Sequence, residues 1–141
     1  MERRDQLLSQ TRLAFIEVDF NHLAMKDEMF HRKTIRPIIK FQQNLLIGIF
    51  KNYIRKHKNK FHELIPEEQL LYIENAIQKD LKFRNILKGV IIGQFTIAEF
   101  SDYIENSSAL NKRILISVKE ELQENLLLLA AKQSFFVEKT T

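Results

Sequence analysis

The first part of the chain carries two pairs of the form carboxylate-x-x-histidine, which is the spacing used by di-iron helical bundles. Asp19 and His22 form one pair, and Glu28 and His31 form the other. Residues three apart share a helix face, so either pair could bind a metal ion. His22 and His31 are separated by about 900° of helical rotation and face opposite sides. A combined site is therefore not expected, and the sequence predicts no bound metal or cofactor.

Asp19 and His22 could instead act together as an acid–base pair. A carboxylate beside His22 would raise the pKa of the imidazole and fix its tautomer. The same two residues could equally belong to a buried polar network that fixes helix register, and we favour this second interpretation. Candidate members of that network are Gln42, Gln43, Ser108 and Asn111. We expect His22 to lie in the core and His31 to be solvated.

A basic segment occupies positions 51–60, with the sequence KNYIRKHKNK. Ten basic and two acidic residues lie between Lys26 and Lys60, whereas the whole chain has a net charge of +4. Such a patch could bind nucleic acid or an anionic membrane surface. It also coincides with a predicted helix C-terminus, where cations are favoured by the helix dipole, and a solvated helix end is the interpretation we favour. The basic residues concerned are Lys51, Arg55, Lys56, Lys58 and Lys60.

Composition excludes several classes of chemistry. The 141 residues contain no cysteine, which excludes disulfides, zinc–cysteine sites and cysteine nucleophiles. No glycine-rich phosphate loop is present, and no serine lies in the strand–turn–helix motif of serine hydrolases. No apolar run reaches the roughly 18 residues of a membrane span, and the N-terminus does not resemble a signal peptide. These features predict a cytoplasmic protein with no membrane span.

The elements that must position these residues are predicted to be helices. Only three glycines and two prolines interrupt the chain, too few for the turns of a β-rich fold. Apolar periodicity predicts one all-α domain over residues 1–141, built as a four-helix bundle with a long C-terminal helix. The helices are expected at about 4–33, 37–58, 66–92 and 96–132. Thr96 and Glu99 have capping-box spacing, and Gly93 is a candidate left-handed cap.

The apolar faces suggest how these helices pack. The first helix is expected to bury the face that contains Leu8, Phe15, His22 and Met29. The second is apolar almost all round, which predicts a central helix, or one shared with a second subunit, with Ile38, Phe41, Leu45, Ile49 and Tyr53 along one side. The C-terminal stretch NLLLLAAKQSFFV is apolar on more than one side and would need cover from another chain. The sequence therefore predicts a homodimer that acts as a non-enzymatic interaction module.

Three stretches of the sequence, IRPIIKFQQNLLIGIFKNYI, KGVIIGQFT and SALNKR, carry a family resemblance. They resemble a group of short bacterial proteins of unknown activity, some of which are labelled glyoxalase-related. The resemblance covers roughly residues 12–121. True glyoxalases resemble paired βαβββ modules whose strands supply histidine and glutamate metal ligands. Because no such strands are predicted here, no glyoxalase residue is carried over to this chain, and a glyoxalase-related enzyme that uses Asp19 and His22 is kept as an alternative.

Overall fold

The computed structural model describes Gln6 and residues 22–131, and these are helical with no strand among them. The predicted all-α class is confirmed. The described stretch from residue 22 starts with α1 (22–30) and a π-helical segment (His31–Ile35), and a 3-10 turn (Lys60–Glu63) lies farther along. The other helices are α2 (Arg36–Phe41), α3 (Gln43–Lys56), α4 (Pro66–Lys79), α5 (Leu81–Ile92), α6 (Ile97–Ile104), α7 (Ser107–Glu124) and α8 (Leu126–Ala130).

The sequence predicts a break or a kink at Arg36, between the first and second helices, and the structure shows no break there. Arg36 keeps helical angles of φ −59° and ψ −47°, and its N–H donates to the carbonyl of His31, five residues earlier. Proline lacks an N–H and clashes with the carbonyl four residues before it in a regular α-helix. The wider π turn accommodates the proline ring, so helical structure continues from α1 into α2. This segment also sets the direction of the His31 side chain.

The predicted second and third helices each divide in two, and the second also ends early. Gln42 adopts φ −95° and ψ 13° and separates α2 from α3. Beyond Lys56, two left-handed residues, Lys58 at φ 63° and Asn59 at φ 59°, reverse the chain. Asp80 leaves helical geometry and caps α5, because its Oδ1 accepts from the N–H of Phe83 at 3.1 Å. Each change of direction is therefore made by a short polar or charged segment.

The expected long C-terminal helix is three helices. The capping box of Thr96 and Glu99 is confirmed at the start of α6. Gly93 is right-handed at φ −61°, so the predicted left-handed cap is wrong. The helix stops at Glu105 and Asn106 because both residues bind α1: Glu105 pairs with Lys26, and Asn106 Nδ2 donates to Asp27 at 2.7 Å. A further non-helical residue at 125 separates α7 from α8.

The central helix of the described chain is α7, rather than the predicted second helix. It contacts the π-helical segment, α2, α3, α4 and α5. Its buried apolar residues recur every four positions, at Leu110, Ile114, Val118 and Leu122. At the other end of the core, the fully buried ring of Phe50 lies within 6.2 Å of the rings of Tyr53, Phe61, Tyr72 and Phe83.

Two predicted apolar faces are partly wrong. His22 and Met29, which were expected in the core, are exposed. On the second predicted helix, Phe41 is 79% exposed and Leu45 is 49% exposed, whereas α3 buries a neighbouring face. The buried residues of that face are Leu46, Ile47, Gly48, Phe50 and Ile54. Leu8 and Phe15 lie outside the described residues.

Candidate functional site

The contact between His31 and Ser117 forms the centre of a polar cleft between the π-helical segment, α2 and α7. The Nε2 atom of His31 lies 2.7 Å from the Oγ atom of Ser117, although the two residues are 86 positions apart in sequence. Both side chains are half-buried. The expectation that His31 is solvated is therefore wrong, because the π turn directs its ring toward α7.

The surroundings of His31 favour a neutral imidazole. Burial lowers the pKa of His31, and the positive charge of Arg113 lowers it further. The carboxylate of Glu28 acts in the opposite direction, but it is itself bound by Arg113, with Nη1 at 3.0 Å from Oε2. A neutral imidazole can accept the hydroxyl proton of Ser117 at Nε2. The pair therefore has the donor–acceptor arrangement of a nucleophile and a general base.

Glu121 forms the floor of the same cleft, one helical turn after Ser117. The residue is only 4% exposed. Its Oε2 accepts from Lys40 Nζ at 2.8 Å, whereas Oε1 is buried and has no hydrogen-bond partner among the described residues. A buried acceptor without a donor costs about 1–3 kcal/mol. Glu121 belongs to the lining of a cavity of about 80 Å³, together with His31, Arg36, Ile39, Lys40, Ser117, Glu120 and Glu124.

The predicted metal ligands are not brought together. Glu28 binds Arg113 and Arg32, while His31 binds Ser117. Within residues 22–131, no group of three or more histidine, aspartate or glutamate side chains is placed to hold a metal ion. His22 is exposed, and Asp19 lies outside the described residues. The Asp19–His22 acid–base pair therefore stays a prediction.

Residues predicted to form a polar network around His22 have other hydrogen-bond partners in the structure. Gln43 Nε2 donates to Asn125 Oδ1 at 3.3 Å. Asn111 accepts a hydrogen bond from the hydroxyl of Tyr103, and Ser108 is exposed. These residues lie at separate places along α3 and α7. The exposed position of His22 does not fit a buried network, while Asp19 lies outside the described residues.

The basic segment spans the second half of α3, the turn after it and the start of the 3-10 turn. Lys51 is half-buried and donates to the carbonyl of Ala131 at 3.4 Å, which places it beside α8. The remaining four residues of the predicted patch, which are Arg55, Lys56, Lys58 and Lys60, are all exposed around the end of α3. Lys60 belongs to the 3-10 turn rather than to α3. Binding of nucleic acid or an anionic surface by these residues stays a prediction.

A groove next to this basic end contains an aromatic pair that the sequence did not reveal. The rings of Tyr53 and His57 are stacked with their centroids 4.0 Å apart, and the Tyr53 hydroxyl donates to Asp80 at 3.3 Å. Burial raises the pKa of Tyr53 to about 12, so the hydroxyl remains protonated at neutral pH. The groove has a volume of about 330 Å³, and its lining includes Lys56 and Lys82. A shallower depression on the other side of Tyr53 adds Lys79.

Two exposed apolar surfaces complete the candidate sites. The α6 stripe consists of Ile97, Phe100 and Ile104, which are 87%, 43% and 56% exposed. Their spacing of three and four residues places them on one face of α6. The α3–α8 patch consists of Phe41 at the end of α2, Leu45 on α3, and Leu127 and Leu128 on α8. The hydrogen bond between Gln43 and Asn125 holds the start of α3 beside the start of α8.

Compared with known proteins, the chain matches no family model, no curated protein and no solved structure. The resemblance to the short bacterial proteins stays a prediction. Across the part of the chain that the structure describes, no helix is both long enough and apolar enough to cross a membrane.

Proposed function

We propose that this protein is a dimeric interaction module that binds a partner helix through the α6 stripe. The observation that carries the proposal is the exposure of three large apolar side chains on one face of a short helix. Tyr103 on the adjoining face of α6 is 7% exposed, so it anchors the helix in the core. The stripe therefore lies on a fixed support, which is how a groove or face that accepts an amphipathic helix is usually built.

The charges of α6 indicate the chemistry of the partner. Glu99 and Asp102 lie within α6 and Glu105 follows it directly, while no basic residue occurs between Ile97 and Glu105. Two copies of α6 packed against each other would bring like charges together, which opposes self-association at this surface. A basic amphipathic helix would instead match both the apolar stripe and the net negative charge of this segment, in which Glu105 already has a basic partner, Lys26.

We expect a synthetic amphipathic peptide with leucines on one face and lysines on the other to bind the protein. Replacing Ile97 and Phe100 with serine should weaken binding about a hundredfold, because each apolar side chain contributes about 1.5–3 kcal/mol when fully buried. Fluorescence anisotropy of the labelled peptide measures the affinity. Ile65→Ser is the matched control, since Ile65 is 57% exposed and lies outside α6.

The same peptide with glutamate in place of lysine tests the charge argument. It should bind more weakly than the lysine peptide at low salt, and the difference should shrink as salt is added. Equal binding of both peptides, or equal binding by the Ile97/Phe100 variant and the unmodified protein, would contradict this assignment of the stripe.

The α3–α8 patch is the proposed dimer surface. Phe41 is 79% exposed and Leu127 is 87% exposed. Both signs of charge lie close by, since Lys40 is 3.8 Å from Glu124. A second copy related by a two-fold axis would present the same apolar side chains without a purely like-charged border. This surface therefore suits self-association better than α6 does.

Sedimentation equilibrium at micromolar concentration should give twice the mass of the chain. Combining Phe41→Ser with Leu127→Ser should convert the dimer into a monomer, because it places hydroxyls where apolar contacts are expected. Ile97→Ser should leave the mass unchanged. A monomeric mass for the unmodified protein would refute the dimer but would leave the α6 proposal intact, since that stripe lies on a different helix.

A second candidate function is the binding of single-stranded nucleic acid in the groove beside Tyr53 and His57. The observation that favours it is the stacked ring pair next to Lys56 and Lys82. Proteins that bind single strands without sequence preference combine a basic groove with aromatic side chains on which bases stack. The exposed His57 ring offers such a surface, while Asp80 and the acids that follow the basic segment oppose a phosphate backbone.

A further inference from the structure

We propose that Ser117 is a nucleophile that accepts an acyl group from small carboxylic esters, with His31 as its general base. Such an activity goes beyond the interaction role proposed above and uses a site other than the α6 stripe, although Lys40 and Glu124 border both this cavity and the proposed dimer surface. It rests on the contact of 2.7 Å between the Ser117 hydroxyl and His31 Nε2 at the edge of an open cavity.

Both residues are held by regular structure. Ser117 lies inside the 18-residue helix α7, between the buried residues Ile114 and Val118. His31 begins the π-helical segment that forms ahead of Pro37. Single π turns inside α-helices occur often at functional sites, because they redirect a side chain without ending the helix. Here the redirected side chain contacts a hydroxyl, and a serine paired with a base is the usual arrangement of an activated nucleophile.

The cavity beside the pair has both the size and the groups for a small acyl ester. Its volume of about 80 Å³ suits a short acyl chain rather than a long one. Arg36 lines it and supplies a positive charge that can stabilise the negative oxygen of a tetrahedral intermediate. Lys40, which also lines the cavity, adds a second positive charge, although its Nζ donates to Glu121 at 2.8 Å.

The reaction is balanced without a further reactant apart from water. The Ser117 Oγ forms a bond to the acyl carbon while His31 takes the hydroxyl proton. The ester C–O bond then breaks, and the alcohol leaves with that proton. Water, deprotonated by His31, next attacks the acyl–Ser117 ester, which releases the carboxylic acid and restores the hydroxyl.

The charged groups around the imidazole decide the pH dependence of this reaction. Arg113 and Arg36 lower the pKa of His31, whereas Glu28 and Glu120 raise it, and burial is the largest influence. Lys40, Glu121 and Glu124 also face the cavity. Because the pKa of His31 is lowered, the neutral base persists below pH 6.5, the usual midpoint for histidine. Acylation should therefore fall only as the pH drops through a midpoint below 6.5.

The experiment treats the full chain with p-nitrophenyl acetate and locates the acetyl group by peptide mass spectrometry. We expect one acetyl group on Ser117 and a burst of p-nitrophenol. Ser117→Ala should abolish acetylation at this position, and His31→Gln should slow it about a hundredfold, the lower end of the range for general-base catalysis. Ser101→Ala removes an exposed hydroxyl on α6 and should change neither result.

If the Ser117→Ala variant unfolds, the Ser117→Cys variant and a pH profile of the unmodified protein still test the proposal. The cysteine variant retains a nucleophile beside His31 and should still be acetylated. Acetyl groups confined to lysines, a burst unchanged in Ser117→Ala, or a rate that does not respond to pH below 6.5 would each overturn the proposal. The α6 stripe does not enter any of these measurements, so failure here leaves the interaction role untouched.

Discussion

Replacing Phe50 with alanine should lower the free energy of unfolding by about 3–5 kcal/mol, the usual range for a buried aromatic residue. Phe50 is fully buried, and four aromatic rings surround it, with centroids between 5.8 and 6.2 Å away. These rings come from α3, α4, α5 and the 3-10 turn. The substitution would therefore leave a cavity that no single side-chain movement can fill.

Urea unfolding followed by circular dichroism measures this change in the free energy of unfolding. The comparison is valid when this free energy depends on urea concentration with the same slope in the variant and the unmodified protein. Ile97→Ala is the control, because Ile97 is 87% exposed and its loss should alter stability by no more than about 0.5 kcal/mol. A loss below about 1 kcal/mol for Phe50→Ala would show that the aromatic cluster does not hold these helices together as described.

The helical class was predictable because it depends on properties that sequence displays directly. Few glycines and prolines and a strong apolar period are local features, and so is the capping box at Thr96. The helix break at Asp80 was not predicted, and near Asn106 the sequence predicted only a bend, at Ser107 and Ser108. Asp80 stops the helix by capping the next one, and Asn106 does so by binding Asp27 about eighty positions earlier. A contact such as that between Asn106 and Asp27, which joins residues far apart in the chain, leaves no local signal in the sequence.

The candidate site was less predictable for the same reason. His31 was noticed for its spacing from Glu28, yet its partner is Ser117, and both residues lie in helices that match no catalytic motif. The only local signal was Pro37, whose effect on the preceding turn directs His31. Glu121 is a charged residue at a position of α7 where the apolar repeat predicts a buried side chain. A charge at such a position indicates a polar site inside the protein.

Binding of single-stranded DNA in the groove beside Tyr53 and His57 should weaken about a hundredfold between 50 and 200 mM salt. Five phosphate contacts give a log–log slope near −3.5, from roughly −0.7 for each contact on a single strand. We expect these contacts from Lys56, Lys79 and Lys82, which line the groove and the depression beside it, and from the exposed Arg55 and Lys58 at the end of α3. A titration with a labelled mixed-sequence oligonucleotide measures both affinity and slope.

Three variants separate stacking from charge in this groove. His57→Ala should cost about 1–3 kcal/mol of binding free energy with little change in the slope, because it removes a ring and not a phosphate contact. Lys56→Gln should lower the magnitude of the slope by about 0.7. Lys51→Gln should leave the slope unchanged, since Lys51 lies beside α8.

A comparison with duplex DNA shows whether the lysines at the end of α3 serve a single-strand site, form a general electrostatic surface or only complement the helix dipole. A duplex cannot stack its bases on His57, so it should bind more weakly than the single strand if the ring pair contributes. Equal binding of both would indicate a purely electrostatic surface. No binding of either at micromolar protein and low salt would mean that these cations only complement the helix dipole, because Asp80 and the acids after the 3-10 turn then offset their field.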